Sequence, residues 1–338
     1  MSEREVNYLR LSVTDRCNLR CSYCMGPDGV PPRKHEEILT YEEILRVAAA
    51  AVPLGIDRFR VTGGEPLVRR GVVSLVGRLA ALAGVREVTM TSNGLLLPDL
   101  AVPLREAGLS RVNLSLDSLQ PDVYRTLTRG GSLAGALAGL AAALRAGLSP
   151  VKLNVVLVKG MNDGEVEDFA VLAATYALAV RFIELMPLGE SHSWAGVRQV
   201  PGPVVLSRLA RRGRLLPLAG VPGNGPAVYY RWIPRRPVAA PELPGVSPAG
   251  DGTATLGLIS ALSRPFCSTC NRLRLTADGK LHGCLAQENG VDLREALRCG
   301  AGAEELGGLF ALAISQKPLV HGMDGGCGAH RRMSELGG

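Results

Sequence analysis

The chain has 338 residues, of which 46% are hydrophobic and 20% are charged, a balance that excludes wholesale disorder. The formal net charge is +7, but no basic helix, zinc-finger spacing or RNA-binding aromatic motif accompanies it, so a small polyanion is favoured over nucleic acid as the ligand. The polar N-terminus has no signal-peptide core, and no apolar run approaches the length of a membrane span. These features predict a cytoplasmic protein without membrane contact.

Short apolar runs alternate with helix-length segments from the N-terminus to about Met186. The predicted strands are Leu9–Val13, Arg58–Thr62, Val88–Thr91, Arg111–Leu116, Val151–Val156 and Val180–Leu185. The first helix opens with Thr40 and Glu43 in a capping box, and others are predicted over residues 72–83, 100–107, 122–146 and 165–177. This repetition indicates an α/β fold of parallel strands with helical crossovers, as an incomplete barrel or an open sheet.

Polar and glycine-rich motifs follow the carboxyl ends of most of these strands. In chain order they are Cys17–Cys24, Gly63-Gly64-Glu65-Pro66, Thr91-Ser92-Asn93-Gly94, Ser115-Leu116-Asp117 and Glu184-Leu185-Met186. Because α/β enzymes build their sites at this edge of the sheet, we expect one site there. The following stretch, from Pro187 to Gly250, is rich in Pro, Gly and Arg, which predicts irregular crossing structure.

Cys17, Cys21 and Cys24 form the most informative motif. Three thiolates leave one corner of a four-iron cluster without a protein ligand, and an open position is typical of catalytic metal sites. A zinc site that borrows a fourth ligand, or buried free cysteines, would be the alternatives. With Tyr23 before the third cysteine, the motif resembles the signature of radical S-adenosylmethionine (SAM) enzymes. That resemblance implies a [4Fe–4S] cluster whose open iron binds SAM, with SAM contacts at Tyr23, Gly64, Ser115 and Met186.

Cys267, Cys270 and Cys284 form a second triplet, which also lacks an obvious fourth ligand. A Cys3His zinc site with His282 is the alternative; the first motif favours a second [4Fe–4S] cluster with its own open iron. Between these ligands stand Arg272 and Arg274, which point the same way if they lie on a strand and can present two guanidiniums to one phosphate. Cys299 and Cys327 receive no role.

Motifs at both ends of the chain narrow the resemblance to one family. The segments Tyr8–Cys17, Cys267–Arg274, Gly283-Cys284-Leu285 and Met333–Gly338 are similar to the GTP 3′,8-cyclase family of molybdenum cofactor synthesis. The similarity is weakest between about residues 187 and 250 and near Cys327. Leu336 stands where isoleucine is commoner in the family.

The resemblance implies an incomplete (β/α)6 TIM-like barrel over residues 1–235 and a smaller C-terminal iron–sulfur region over 236–338. It also implies conversion of GTP to (8S)-3′,8-cyclo-7,8-dihydroguanosine 5′-triphosphate, by abstraction of the 3′ hydrogen and closure of C3′ onto C8. The implied GTP contacts are Arg10, Arg60, Thr91, Lys152, Arg272, Leu273 and Arg274, and a catalytic tail is implied at Gly337-Gly338. The implied partners are a low-potential electron donor and cyclic pyranopterin monophosphate synthase, which takes the product. The protein itself is expected to be a monomer or homodimer.

Two other functions remain open at this point. One is a radical SAM peptide-modifying enzyme with an auxiliary cluster, a class whose C-terminal regions are usually richer in cysteine. The other is a non-catalytic iron–sulfur redox protein, which needs neither the Gly63–Pro66 element nor a ring of polar residues at the strand ends.

Overall fold

The computed structural model describes residues 4–31, 33–236, 241–323 and 332–337. Within these ranges twelve strands form one mixed sheet. They are β1 (Tyr8–Ser12), β2 (Arg58–Thr62), β3 (Glu87–Ser92), β4 (Arg111–Ser115), β5 (Lys152–Leu157), β6 (Ala179–Glu184), β7 (Gly213–Leu218), β8 (Val228–Pro234), β9 (Ala254–Ile259), β10 (Arg272–Leu275), β11 (Lys280–His282) and β12 (Val291–Asp292). All six predicted strands are present, with each end within one residue of its predicted position.

Helices connect most of these strands. They are α1 (Tyr41–Ala51), α2 (Val72–Ala80), α3 (Leu97–Glu106), α4 (Pro121–Thr128), α5 (Leu133–Arg145), α6 (Val166–Tyr176), α7 (Ala195–Arg198), α8 (Gly202–Arg212), α9 (Leu293–Arg298) and α10 (Ala303–Ser315). The predicted capping box at the start of α1 is confirmed, since Thr40 Oγ1 accepts from the Glu43 amide at 3.1 Å and the Glu43 carboxylate accepts from the Thr40 amide at 2.7 Å.

The strand order is β12-β11-β10-β1-β2-β3-β4-β5-β6-β9-β8-β7. Strands β1 to β6 are parallel neighbours, and β10 and β9 extend them in parallel at either side. Antiparallel strands then complete both edges. The pairing leaves two ends, at β12 and β7, so the predicted α/β fold with an incomplete barrel is confirmed.

Strand β1 shows how the sheet separates the core from the site. Leu9 and Leu11 are fully buried in the main hydrophobic core, which the helices cover. Tyr8 and Arg10 alternate with them and point to the other face, where they line a cavity. The same alternation in the neighbouring strands carries polar side chains to that face.

Two expectations about the elements were wrong. The helix predicted over residues 122–146 is two helices, because Arg129 (φ 52°) and Gly130 (φ 111°) turn the chain and Ser132 caps α5. The stretch from Pro187 to Gly250 is not irregular throughout, since it contains α8 and the β7–β8 hairpin that pairs with β9. Its Pro and Gly content reflects the loops between these elements.

In the described ranges, no single helix is long and apolar enough to cross a bilayer, although the bent pair α4 and α5 meets the length and composition requirement when taken together.

Candidate active site

A cavity of about 310 Å³ lies against the polar face of the sheet. Both cysteine triplets line it: Cys17, Cys21 and Cys24 from the loop after β1, and Cys267, Cys270 and Cys284 from the segments flanking β10 and β11. The two triplets are far apart in the sequence, and the sheet brings them to one space.

The pairing of β1 with β10 fixes where the triplets lie. The two strands are parallel and in register, with Arg10 opposite Arg274. Cys17 follows the carboxyl end of β1, whereas Cys270 precedes the amino end of β10. The two triplets therefore flank opposite ends of the strand pair.

The first triplet is half-buried, and the hydrogen-bond donors to Cys17 are neutral. Cys17 Sγ accepts from the Leu19 amide at 3.4 Å and from Asn93 Nδ2 at 3.9 Å. Burial raises the pKa of all three thiols, that of Cys24 to about 12. The site needs a cation to hold these groups as thiolates, and a cluster of iron ions with one open corner fits three such ligands.

Gly64 owes its identity to packing against the cysteine loop. A Cβ on Gly64 would lie 2.3 Å from the Arg16 carbonyl oxygen, and one on Gly63 would lie 2.4 Å from that of Thr14. The Gly64 amide donates to Thr14 O at 2.7 Å. These glycines let the second strand end lie directly against the loop that holds Cys17.

Glu65 is also buried in this wall of the cavity. Its carboxylate accepts from the amides of Leu67 and Asn93 at 3.1 and 2.7 Å and from Ser92 Oγ at 2.9 Å. Burial raises the pKa of Glu65 to about 7. This carboxylate therefore ties the end of β2 to the end of β3.

The other predicted SAM contacts line the same cavity. Tyr23, Gly64, Ser115 and Met186 all face it. The Tyr23 hydroxyl donates to Asp117 Oδ2 at 2.5 Å, and the Met186 carbonyl accepts from Ser191 Oγ at 2.7 Å. Burial raises the pKa of Asp117 to about 6.

The second triplet lies among cations. Lys317 Nζ is 3.2 Å from Cys270 Sγ, and Arg272 Nη2 is 3.8 Å from it. Although burial acts in the opposite direction, these two cations lower the pKa of Cys270 to about 7. His282, the fourth ligand of the zinc alternative, is buried on β11 against Gly290 and does not line the cavity.

Cationic side chains line the space between the two triplets. They are Arg10, Arg60, Arg111, Lys152, Arg181, Arg272 and Arg274, whereas the carboxylates that line the cavity are Glu65 and Asp117. Arg111 is paired with Glu87 at 2.6 Å. In contrast, Arg181 is 5% exposed and its Nε and Nη2 have no hydrogen-bond partner in the described structure.

The crowding of these buried cations lowers their pKa values. Burial, followed by repulsion from Arg60, lowers the pKa of Arg181 to about 10. Burial and repulsion from Arg272 likewise lower the pKa of Arg274 to about 10. Burial, with repulsion from Arg181, Arg111 and Arg60, lowers the pKa of Lys152 to about 7. Such an excess of buried positive charge suits a polyanionic ligand.

Most of the predicted GTP contacts lie in this cavity. Arg10, Arg60, Thr91, Lys152, Arg272 and Arg274 line it, and Thr91 Oγ1 has no hydrogen-bond partner in the described structure. Leu273 differs, because its side chain is fully buried in the core on the opposite face of β10. Leu273 can therefore contact a ligand in the cavity only through its main chain.

The sequence analysis missed Arg181, Arg111 and Lys317. Arg181 interrupts the apolar strand β6, and a lone cation inside a buried strand is a signal that could have identified it. Lys317 follows α10, and nothing in its local sequence shows that it meets Cys270.

The C-terminal turn also reaches this wall. The Gly337 carbonyl accepts from Arg10 Nη2 at 2.6 Å and from Thr62 Oγ1 at 3.0 Å. Arg33 holds the turn in place by pairing with Glu335 at 3.3 Å and, at the same time, with Asp15 at 3.2 Å. Gly338 and Cys327 lie outside the described residues, and Cys299 is exposed after α9.

Comparisons with known proteins agree with this geometry. Residues 11–173 match the family model of the radical SAM superfamily, and residues 178–323 match that of Molybdenum Cofactor Synthesis C. The GTP 3′,8-cyclase of Moorella thermoacetica is 47% identical over 99% of this chain and 98% of its own. That of Pelotomaculum thermopropionicum is 48% identical with the same coverage.

A solved structure shows the same fold at low identity. SuiB of Streptococcus suis, in a crystal structure with S-adenosylmethionine, has a TM-score of 0.58 at 13% identity, over 90% of this chain and 68% of that one. Membership of the radical SAM superfamily implies one [4Fe–4S] cluster and SAM as cofactors. On the full-length similarity, the chain belongs to the GTP 3′,8-cyclase family of radical SAM enzymes.

Proposed function

We propose that this protein converts GTP to (8S)-3′,8-cyclo-7,8-dihydroguanosine 5′-triphosphate, the first step of molybdenum cofactor biosynthesis. The observation that carries the proposal is that two cysteine triplets and seven cationic side chains line one cavity. An iron–sulfur carrier has no use for such a cavity. The family membership supports the same reaction.

Cys17, Cys21 and Cys24 hold the first [4Fe–4S] cluster, and Tyr23, Gly64, Ser115 and Met186 contact SAM. When bound, these cofactors would supply the radical chemistry that abstracts the 3′ hydrogen of GTP. The chain contributes placement and exclusion of water. Asp117 supports this arrangement, because it accepts from the Tyr23 hydroxyl and from the Val156 amide at 2.8 Å.

Cys267, Cys270 and Cys284 would hold a second [4Fe–4S] cluster, and the guanine base would bind beside it. The cationic surroundings of Cys270 favour a thiolate at this position. His282 is buried away from the cavity, which weakens the zinc alternative.

Arg10, Arg60, Thr91, Lys152, Arg272 and Arg274 hold the triphosphate and the nucleoside, with Leu273 contributing through its main chain. To these we add Arg181, whose unpaired donors lie in the same cavity. Forked guanidiniums bind phosphate oxygens in pairs. Gly337 and Gly338 act as a catalytic tail, a role supported by the contact of Gly337 with Arg10.

The wider setting follows from the reaction. A low-potential donor supplies electrons in the cytoplasm, and cyclic pyranopterin monophosphate synthase takes the product. We expect a monomer or homodimer, with residues 1–235 forming the barrel part and residues 236–338 the C-terminal part.

Anaerobic turnover with SAM, dithionite and GTP tests the reaction by following 5′-deoxyadenosine together with the cyclised nucleotide. We expect both products, and their loss in Arg274→Ala with unchanged iron content. Arg298→Ala is the matched control, since Arg298 pairs with Glu43 away from the cavity. Formation of 5′-deoxyadenosine without a cyclised nucleotide would contradict the proposal.

Metal analysis tests the second cluster separately. We expect about eight irons per chain after reconstitution and about four when Cys267, Cys270 and Cys284 are all replaced by Ala. One zinc and four irons in the unmodified protein would support the zinc alternative instead.

A further inference from the structure

Lys317 is a buried cation directly beside the second cysteine triplet. It is 6% exposed, and its ammonium contacts three acceptors: Cys270 Sγ at 3.2 Å, Arg272 O at 2.8 Å and Gly283 O at 2.6 Å. Arg272 lies two residues after Cys270, and Gly283 directly precedes Cys284. Lys317 therefore joins the segment that carries Cys270 to the one that carries Cys284.

The backbone around Lys317 is built for this contact. A Cβ on Gly283 would lie 2.9 Å from the Ala313 carbonyl oxygen and 3.1 Å from the Lys317 Cα, so only glycine lets the end of α10 lie this close. Arg4 fixes the other side by donating to Lys317 O at 2.8 Å and to Cys267 O at 3.1 Å. The segment that carries Cys267 is thus also tied to Lys317.

The first triplet has no comparable cation on its sulfur atoms among the described hydrogen bonds. Cys17 Sγ accepts from the Leu19 amide and from Asn93 Nδ2, which are both neutral. The carboxylates of Glu65 and Asp117 line the cavity beside it. Both triplets supply three thiols, but among the described hydrogen bonds a charged donor to a cysteine sulfur occurs only at the second triplet.

We propose that Lys317 raises the reduction potential of the second cluster. The inference rests on the proposed second cluster. The couple is the one-electron reduction of [4Fe–4S]2+ to [4Fe–4S]+ by a low-potential donor such as dithionite. A positive hydrogen-bond donor on a ligand sulfur stabilises the reduced cluster, because that form carries one more negative charge.

The test isolates the second cluster in the full-length chain by replacing Cys17, Cys21 and Cys24 with Ala. In this background Lys317→Met removes the charge and the donor, Lys317→Gln keeps a donor, and Lys317→Arg keeps both. Lys34→Met is the control, because Lys34 is exposed and pairs with Glu36. The measurements are iron content and a potentiometric titration followed by electron paramagnetic resonance.

We expect Lys317→Met to lower the ratio of reduced to oxidised cluster at fixed potential about tenfold, which is about 59 mV for a one-electron couple. Lys317→Gln should give a smaller shift in the same direction, and Lys317→Arg and Lys34→Met should stay near the parent. If Lys317→Met loses its iron, the shift in the reduction potential of Lys317→Gln tests the proposal in its place.

Two failures can be told apart. Absence of iron from the parent that lacks the first triplet would remove the second cluster and, with it, part of the proposed function. An iron-loaded parent whose potential is the same in the Met, Gln and Arg variants would overturn the role of Lys317 alone.

Discussion

Replacing Arg181 by Met should stabilise the protein without GTP and weaken its binding of GTP. Arg181 is buried, and its Nε and Nη2 have no partner in the described structure, so little hydrogen bonding is lost with it. Methionine has a similar length and fills irregular space well. The substitution therefore mainly removes a buried charge.

The pKa shift gives the size of the stability effect. Burial and nearby cations lower the pKa of Arg181 from 12.5 to about 10. Because the folded-state pKa is the lower one, the charge destabilises the fold at every pH below about 10 and is fully present at pH 7. At about 1.4 kcal/mol per pKa unit, Arg181→Met should raise the free energy of unfolding by about 3 kcal/mol.

The effect on GTP has the opposite sign. A hydrogen bond to a charged group contributes about 1.5–3 kcal/mol, so losing one phosphate contact should weaken GTP binding about 10- to 100-fold. Stability and binding thus change in opposite directions, as expected of a charge that is kept for its ligand.

The assay is anaerobic denaturant unfolding and equilibrium binding of GTP, on preparations with equal iron content. Arg111→Met is the matched control, because Arg111 lies in the same cavity but pairs with Glu87 at 2.9 and 2.6 Å. Its removal leaves a carboxylate unpaired and should destabilise the protein. If both variants lose stability equally without GTP, the reasoning about uncompensated charge is wrong.

Two further predictions concern the cysteine loop and pH. Gly64→Ala should remove the roughly four irons of the first cluster, because the added Cβ would lie 2.3 Å from Arg16 O. Iron analysis measures this loss, with Gly307→Ala as the control because a Cβ on Gly307 would have no neighbour within 4 Å. An unchanged iron content in Gly64→Ala would contradict the prediction. The pKa of Lys152 is about 7 without ligand, and a bound triphosphate should raise it. GTP binding should therefore take up a proton and weaken as the pH rises above 7; calorimetry in buffers of different ionisation enthalpy measures this uptake, which Lys152→Arg should abolish.

The local pattern of the sequence was enough to predict the six parallel strands and both cysteine triplets. It also predicted that Arg272 and Arg274 share a face, since alternation along a strand is a local property. The break between α4 and α5 was visible too, at Gly130, and the long apolar run masked it.

What the sequence could not show depends on contacts between distant segments. The meeting of Lys317 with Cys270 requires α10 to pack against Gly283. The identity of Gly64 is explained by a main-chain approach to Arg16 rather than by a ligand alone. Neither contact leaves a periodic signal in its own segment, because each is set by tertiary packing.

The pairing of β1 with β10 places the two halves of the proposed chemistry at opposite ends of one strand pair. Because the strands are parallel, the loop after β1 and the segment before β10 lie at opposite ends, with Arg10 and Arg274 opposite each other between them. A nucleotide that lies along the strands would have its base at one triplet and its ribose toward the other. A one-residue slip would turn Arg10 to the core and leave Leu9 or Leu11 facing the cavity, so the register of this one ladder sets both the relative placement of the triplets and the position of the cations.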